Sequence, residues 1–212
     1  MNTPLGHVHL VDDNHDMLHY LSDMLKLNGY SVDTYTSPKS FLRESLDISP
    51  AVIVLDMHMP GFTGLELQQQ LEQIGRNTPI IFMSGESDKN QIISAFTSGA
   101  IAFLLKPFAR EKLLEAINKG IVLDKQRAKN RLGLTRLQRN FNTLTLREQE
   151  LLFLMIDGYT NKAIADLKNI QAATVKKHRA AIFEKFQISN SAELIRMCKG
   201  LDLSFLRPKD PS

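Results

Sequence analysis

Val52-Ile53-Val54-Leu55-Asp56-Met57-His58-Met59-Pro60-Gly61-Phe62-Thr63-Gly64 is the stretch that decides the fold. An apolar run stops at a single aspartate, and a turn rich in Pro and Gly follows at once. An apolar run bounded by turn residues reads as a buried strand of a parallel sheet. Asp56 then ends that strand, where open α/β sheets place their ligand sites. Alone, Asp56 reads equally well as a cap on the following turn.

The flanking chain repeats the pattern. His7-Val8-His9-Leu10-Val11 reads as a first strand, followed by Asp12-Asp13-Asn14 and a helix from Asp16 to Asn28. Ser31 to Tyr35 is a second strand, and Ser37-Pro38 opens a helix through Leu46. After the central strand come a helix from Gly64 to Ile74 and a fourth strand over Thr78-Pro79-Ile80-Ile81-Phe82-Met83-Ser84-Gly85. A helix from Lys89 to Thr97, a strand from Ile101 to Leu105 and a helix from Glu111 complete five strand–helix repeats. Such alternation predicts a parallel sheet covered by helices on both faces.

Asp12, Asp13, Asp56, Ser84 and Lys106 therefore converge at the carboxyl ends of the strands. Turn chemistry does not account for five such residues. Clustered carboxylates repel unless a hard cation neutralises them, and oxygen ligands with open positions suit Mg²⁺. A carboxylate nucleophile can accept a phosphoryl group. Lys106 and Ser84 would stabilise charge on that group.

Taken in order, Asp12-Asp13, the Leu55–Gly61 strand-turn with Gly64, Ser84 and Lys106-Pro107-Phe108 resemble the receiver domain of two-component response regulators over residues 7–119. The resemblance implies that Asp56 is the phospho-acceptor. It implies Mg²⁺ bound by Asp12, Asp13, Asp56 and the backbone carbonyl of His58. Ser84 would sense the phosphoryl group, Lys106 would pair with it, and the Lys106–Pro107 bond would be cis. Phe103 matches the aromatic switch position, though it also reads as core. Gly85 departs from the family's usual Ala and would loosen the backbone beside the switch. His7, His9, His15, His19 and His58 invite a metal reading. His7 and His9 share a strand face but show no carboxylate or cysteine partners in sequence, so no transition-metal site is expected.

Charge separates the chain into halves. Residues 1–120 carry 9 Lys and Arg against 14 Asp and Glu, a net −5, whereas residues 121–212 carry 17 against 9, a net +8. A basic half suggests a polyanionic partner. Residues 121–141 read as a basic helical linker, open to solvation, helix-mediated dimerisation or nonspecific phosphate contact.

Thr145-Leu146-Arg147-Glu148 is a capping box before an apolar run carried by Leu151, Leu152, Leu154, Met155 and Ile156. A short helix from Thr160-Asn161 to Leu167, a turn, and a longer helix from about Ala173 to Phe186 form a helix-turn-helix. Asn190-Ser191-Ala192-Glu193 opens a last helix. Lys176, Lys177 and Ala180 lie close on one face and can reach bases, while Thr174, His178 and Arg179 can anchor phosphates.

Residues 142–199 resemble the tetrahelical LuxR/FixJ-type DNA-binding domain. The resemblance rests on Leu144-Thr145, Arg147-Glu148, Gly158, Asn161-Lys162, Ile164-Ala165, Thr174-Val175-Lys176, His178-Arg179, Ile182 and Lys185. The pair implies a FixJ/NarL-family regulator: receiver 1–120, linker 121–141, DNA-binding domain 142–205. Lys168 departs from the family by standing where it buries Leu, and burying a lysine is costly. Either Leu167 substitutes for it, or the turn is rebuilt and Lys168 reaches solvent or DNA.

The implied function is transcriptional regulation. A cognate histidine kinase phosphorylates Asp56, and the protein binds double-stranded promoter DNA as a homodimer when phosphorylated. The alternative is an interaction module or phosphate sink with altered DNA binding. An aspartyl-phosphate phosphatase is not expected, because no residue clearly serves as general acid or base beside Asp56. No apolar run approaches the roughly 18 residues that a bilayer span needs, and no signal peptide is recognisable. The only cysteine, Cys198, excludes an internal disulfide framework. A cytoplasmic protein without membrane partners is the expectation.

Overall fold

Strand alternation sorts the apolar residues onto two sheet faces, because successive side chains point to opposite sides. In the computed structural model, which describes residues 3–43, 48–86 and 88–207, this sorting is complete. Val8, Leu10, Val52, Val54, Ile81 and Met83 bury one face together with Leu18, Leu21, Leu25, Leu113 and Ile117. Val11, Ile53, Leu55 and Phe82 bury the other with Phe41, Leu67 and Leu71.

The first compact unit, Met1–Ala128, comprises β1 (His7–Val11), α1 (His15–Leu27), β2 (Ser31–Tyr35), α2 (Pro38–Leu42) and β3 (Ala51–Asp56). A two-strand hairpin, β4 (His58–Met59) and β5 (Phe62–Thr63), follows. Then come α3 (Gly64–Gln73), β6 (Ile80–Ser84), α4 (Lys89–Thr97), β7 (Ala102–Leu105) and the start of α5 (Arg110–Phe141). The five long strands are all parallel, in the order β2-β1-β3-β6-β7. The chain reverses direction of growth between β1 and β3. That switch point is where doubly wound sheets open a crevice for ligands.

Local sequence explains the starts and stops. Asn14 caps α1 by accepting the Met17 N–H, and Thr63 and Glu66 cap α3 reciprocally. The turn after Asp56 is more regular than expected: β4 and β5 close around Gly61, whose φ of 72° suits glycine. The second helix is described only through Leu42; residues 44–46 of the expected helix lie outside the described residues.

The second unit, Lys129–Ser212, holds the end of α5 and α6 (Leu146–Ile156), α7 (Asn161–Lys168), α8 (Ala172–Phe186) and α9 (Ser191–Cys198). Its core joins Leu137, Phe141, Leu151, Leu152, Phe153, Ile164, Val175, Ile182, Phe186 and Leu194. Phe153, buried here, stood outside the expected apolar face of α6, whereas Leu154 and Ile156 are only partly buried. Residues 121–141 lie within α5. Their weak periodicity has a physical cause. Ile117 and Ile121 serve the first core, Leu137 and Phe141 serve the second, and Leu132 between them is exposed.

The turn before α8 resolves the Lys168 question differently from either alternative. Leu167 is exposed and replaces nothing. Lys168 turns back to α6, its Nζ 2.8 Å from Glu150 Oε2. Ile170 packs against the core, and Asn169 adopts a left-handed conformation with φ 51°. Asn is one of the few non-glycine residues that tolerates it.

Candidate functional site

Asp12 follows β1 directly and Asp56 ends β3, so the parallel pairing of the two strands brings their carboxylates to the same sheet edge. Both are almost fully buried, at 1% and 6% exposed. Such a pair needs a counterion, and Lys106 supplies it from just beyond β7. Its Nζ lies 2.9 Å from Asp12 Oδ2 and 2.6 Å from Asp56 Oδ1. Burial alone would lower the lysine's pKa. The bonds to Asp56 and Asp12 outweigh it and raise the pKa, so the ammonium stays charged.

Backbone donors fix both carboxylates. The Asn14 N–H donates to Asp12 Oδ1 at 2.8 Å, and the His58 N–H donates to Asp56 Oδ2 at 2.8 Å. Ser84, 1% exposed at the end of β6, accepts the Glu86 N–H at 3.1 Å. The Lys106 N–H donates to the Ser84 carbonyl at 2.7 Å, and the Lys106–Pro107 bond is cis. Gly64 lets α3 start against the strand end: an added Cβ would lie 2.8 Å from both the Asp56 carbonyl oxygen and Phe82 Cε1. Gly85, by contrast, has open space where a Cβ would point. Phe103 is half-buried, with its ring 6.3 Å from that of Phe82.

Asp12, Asp56, Ser84 and Lys106 thus come together, while Asp13 and His58 stand beside them with exposed side chains. Three carboxylates and one ammonium leave two negative charges, a donor set suited to a hard dication. Mg²⁺ keeps several waters and takes only one or two carboxylates directly, so this set of residues fits it.

The expected lack of a carboxylate partner for the strand histidines does not hold. His7 and His9 do have a carboxylate partner, Asp33 of β2. Among the described residues, these three bring one ligand atom each to within 4.8 Å of one another. Periodicity within one strand cannot show a partner that only the β1–β2 register supplies. Burial, with His7 adding to it, pushes the His9 pKa down to about 4 against the pull of Asp33.

In the second unit, α8 presents Lys176, Lys177 and Ala180 to solvent while Val175, Ile182 and Phe186 face the core. Thr174 and His178 are partly exposed. Arg179 is already engaged. It donates to Ser191 Oγ at the start of α9, and its guanidinium lies 5.7 Å from the Phe183 ring centre. Burial lowers its pKa. Sequence reasoning also missed a positioning pair. Lys185 Nζ lies 2.6 Å from Glu148 Oε2 and ties α8 to α6. The capping box had marked Glu148, but only as a partner of Thr145.

Residues 8–118 match the response regulator receiver domain family, and residues 142–198 match the bacterial regulatory proteins of the luxR family. The chain is a LuxR-type response regulator. It is 35% identical over 194 residues to response regulator protein TodT of Pseudomonas putida, covering 92% of this chain and 86% of that one. It is 31% identical over 190 residues to transcriptional regulatory protein FixJ of Rhizobium meliloti, covering 90% and 93%. The solved structure of response regulator StyR is similar over 93% of this chain and 99% of that one, with 36% identity and a TM-score of 0.75. The response regulator therefore joins a CheY-like receiver fold to a helical DNA-binding domain. Among its described residues, no helix is long and apolar enough to cross a membrane.

Proposed function

We propose that Asp56 accepts a phosphoryl group from a cognate histidine kinase and that this acylphosphate controls binding to double-stranded promoter DNA. The observation that carries the reading is the Lys106 ammonium bridging Asp56 and Asp12 at the switch point of the sheet. An Asp56 carboxylate oxygen attacks phosphorus as the P–N bond to the kinase histidine breaks, and the histidine nitrogen keeps the electron pair. Lys106 holds charge on the transferred group. Ser84 gives up its bond to the Glu86 N–H and turns its hydroxyl toward a phosphoryl oxygen. Phe103 moves into the space this vacates.

Mg²⁺, held by Asp12, Asp13, Asp56 and the His58 carbonyl, would neutralise charge as phosphate approaches the carboxylates. On this reading residues 1–120 are the receiver, 121–141 the linker and 142–205 the DNA-binding domain. Lys176, Lys177 and Ala180 read base edges, Thr174 and His178 contact phosphates, and Arg179 orients α8 through Ser191. The phosphorylated form binds as a homodimer.

Incubation with a small phosphodonor and Mg²⁺, followed by peptide mass mapping, tests the first step. A phosphoryl group on the peptide containing Asp56 is expected. Its appearance on another residue overturns the assignment.

A further inference from the structure

The face of β1 that carries His7, His9 and Val11 looks away from α1 and toward α2, and β2 is the edge strand beside it. The parallel register sets Ser31 opposite His7 and Asp33 opposite His9. The two imidazoles are nearly fully buried, at 6% and 2% exposed, with ring centres 4.4 Å apart. Asp33 is half-exposed and opens the cluster to solvent.

Ser31 and Asp33 flank the two ring nitrogens of His7. The Ser31 hydroxyl donates to the Gly6 carbonyl at 3.4 Å. Its oxygen is then free to accept from His7 Nδ1, 2.7 Å away. With Nδ1 turned to Ser31, Nε2 is the ring nitrogen of His7 left for a ligand. That atom is buried and has no hydrogen-bond partner, although Asp33 Oδ2 lies 3.1 Å from it. An imidazole nitrogen and a carboxylate oxygen thus face each other across that gap. Zinc bonds of about 2.0–2.2 Å at a tetrahedral angle set two donor atoms roughly 3.3 Å apart, close to the separation found. The Tyr35 hydroxyl lies 3.4 Å from His9 Nδ1, which leaves His9 Nε2 for coordination. Ser31 and Tyr35 thus stand where metal sites place the groups that orient their histidines.

We propose that His7, His9 and Asp33 bind one divalent transition-metal ion of the zinc class, with water completing the coordination. Two imidazoles and a carboxylate form a borderline donor set that favours such ions over Mg²⁺. The site is separate from the carboxylates of Asp12 and Asp56 and does not depend on the reading of that pocket. An ion here ties the edge strand β2 to the strand that leads into Asp12.

The test is calorimetric titration of the full chain with Zn²⁺ in excess Mg²⁺, which saturates the other carboxylate cluster, together with visible absorption of the Co²⁺ form. One saturable Zn²⁺ per chain and Co²⁺ bands of a nitrogen-ligated ion are expected. Asp33→Asn keeps the shape of an exposed side chain, so its fold is retained, which circular dichroism checks. It and His7→Asn should each weaken Zn²⁺ binding more than about tenfold, and Ser31→Ala about tenfold. His19→Gln, which removes the exposed pair with Asp23, should leave it unchanged. Absence of a saturable site, which would mean that only a proton joins His7 to Asp33, overturns the proposal. So does binding that survives Asp33→Asn undiminished, or that is lost with His19→Gln.

Discussion

Lys185→Met isolates the force that sets α8 against α6. Glu148 is 5% exposed, and its Oε2 receives both the Lys185 ammonium at 2.6 Å and the Thr145 N–H at 2.8 Å. Removing one member of a buried ion pair costs about 3–5 kcal/mol, because the other charge is stranded. Here Thr145 still serves the carboxylate, and the Lys185 side chain is 32% exposed, so solvent screens part of the interaction. The expected cost is about 2 kcal/mol, roughly 30-fold in the opening equilibrium. Hydrogen exchange read by mass spectrometry on α6 and α8 peptides of the full chain measures this locally, which matters because two units need not unfold together.

The pH dependence follows from Glu148. Burial would raise its pKa, but Lys185 and Thr145 outweigh burial and lower it. A carboxylate with a lowered folded pKa stabilises fully above its unfolded value, about 4.3, and loses that contribution as pH falls through the folded value. The Lys185→Met penalty should be complete at neutral pH and shrink in acid. Adding Glu148→Gln should recover most of the loss, since a buried pair removed together costs little. Exchange within twofold of the unaltered protein at neutral pH refutes the reasoning.

Other consequences are equally measurable. Gly64→Ala forces a Cβ onto the Asp56 carbonyl and the Phe82 ring. It should destabilise the first unit by about 1–3 kcal/mol in urea unfolding and slow phosphorylation. Asp124, 3% exposed, accepts the Ser49 hydroxyl at 2.7 Å and the Ala51 N–H at 3.0 Å. Asp124→Ala leaves that buried N–H unsatisfied and should cost about 1–3 kcal/mol in the same assay. Lys176→Ala and Lys177→Ala should weaken DNA binding without changing thermal stability. With these lysines as base-reading residues, each change should cost about 1–3 kcal/mol on the preferred site and relax sequence preference, read by comparing binding to promoter and unrelated DNA. Lys168→Leu should cost under about 1 kcal/mol, because its pair with Glu150 is partly exposed.

The doubly wound sheet was legible because each strand announces itself by an apolar run and a polar stop. Asp12, Asp56 and Lys106 could be assembled from those stops alone, since parallel strands present their carboxyl ends at one edge. Relations that depend on register or on long side chains were not legible. Asp33 joins His7 and His9 only because β1 and β2 pair as they do. Lys168 escapes burial because its chain is long enough to reach Glu150, while Ile170, two residues on, fills the core. The contacts of Arg179 with Ser191 and Phe183 were not legible from its place on α8.

The central claim is that chemistry at Asp56 governs DNA binding by α8. Gel-shift titration of promoter DNA, with and without a small phosphodonor and Mg²⁺, tests it in the unaltered chain and in Asp56→Asn. The account predicts that the phosphodonor tightens binding in the unaltered chain and changes nothing in Asp56→Asn. Phosphodonor-dependent tightening that persists in Asp56→Asn would contradict it.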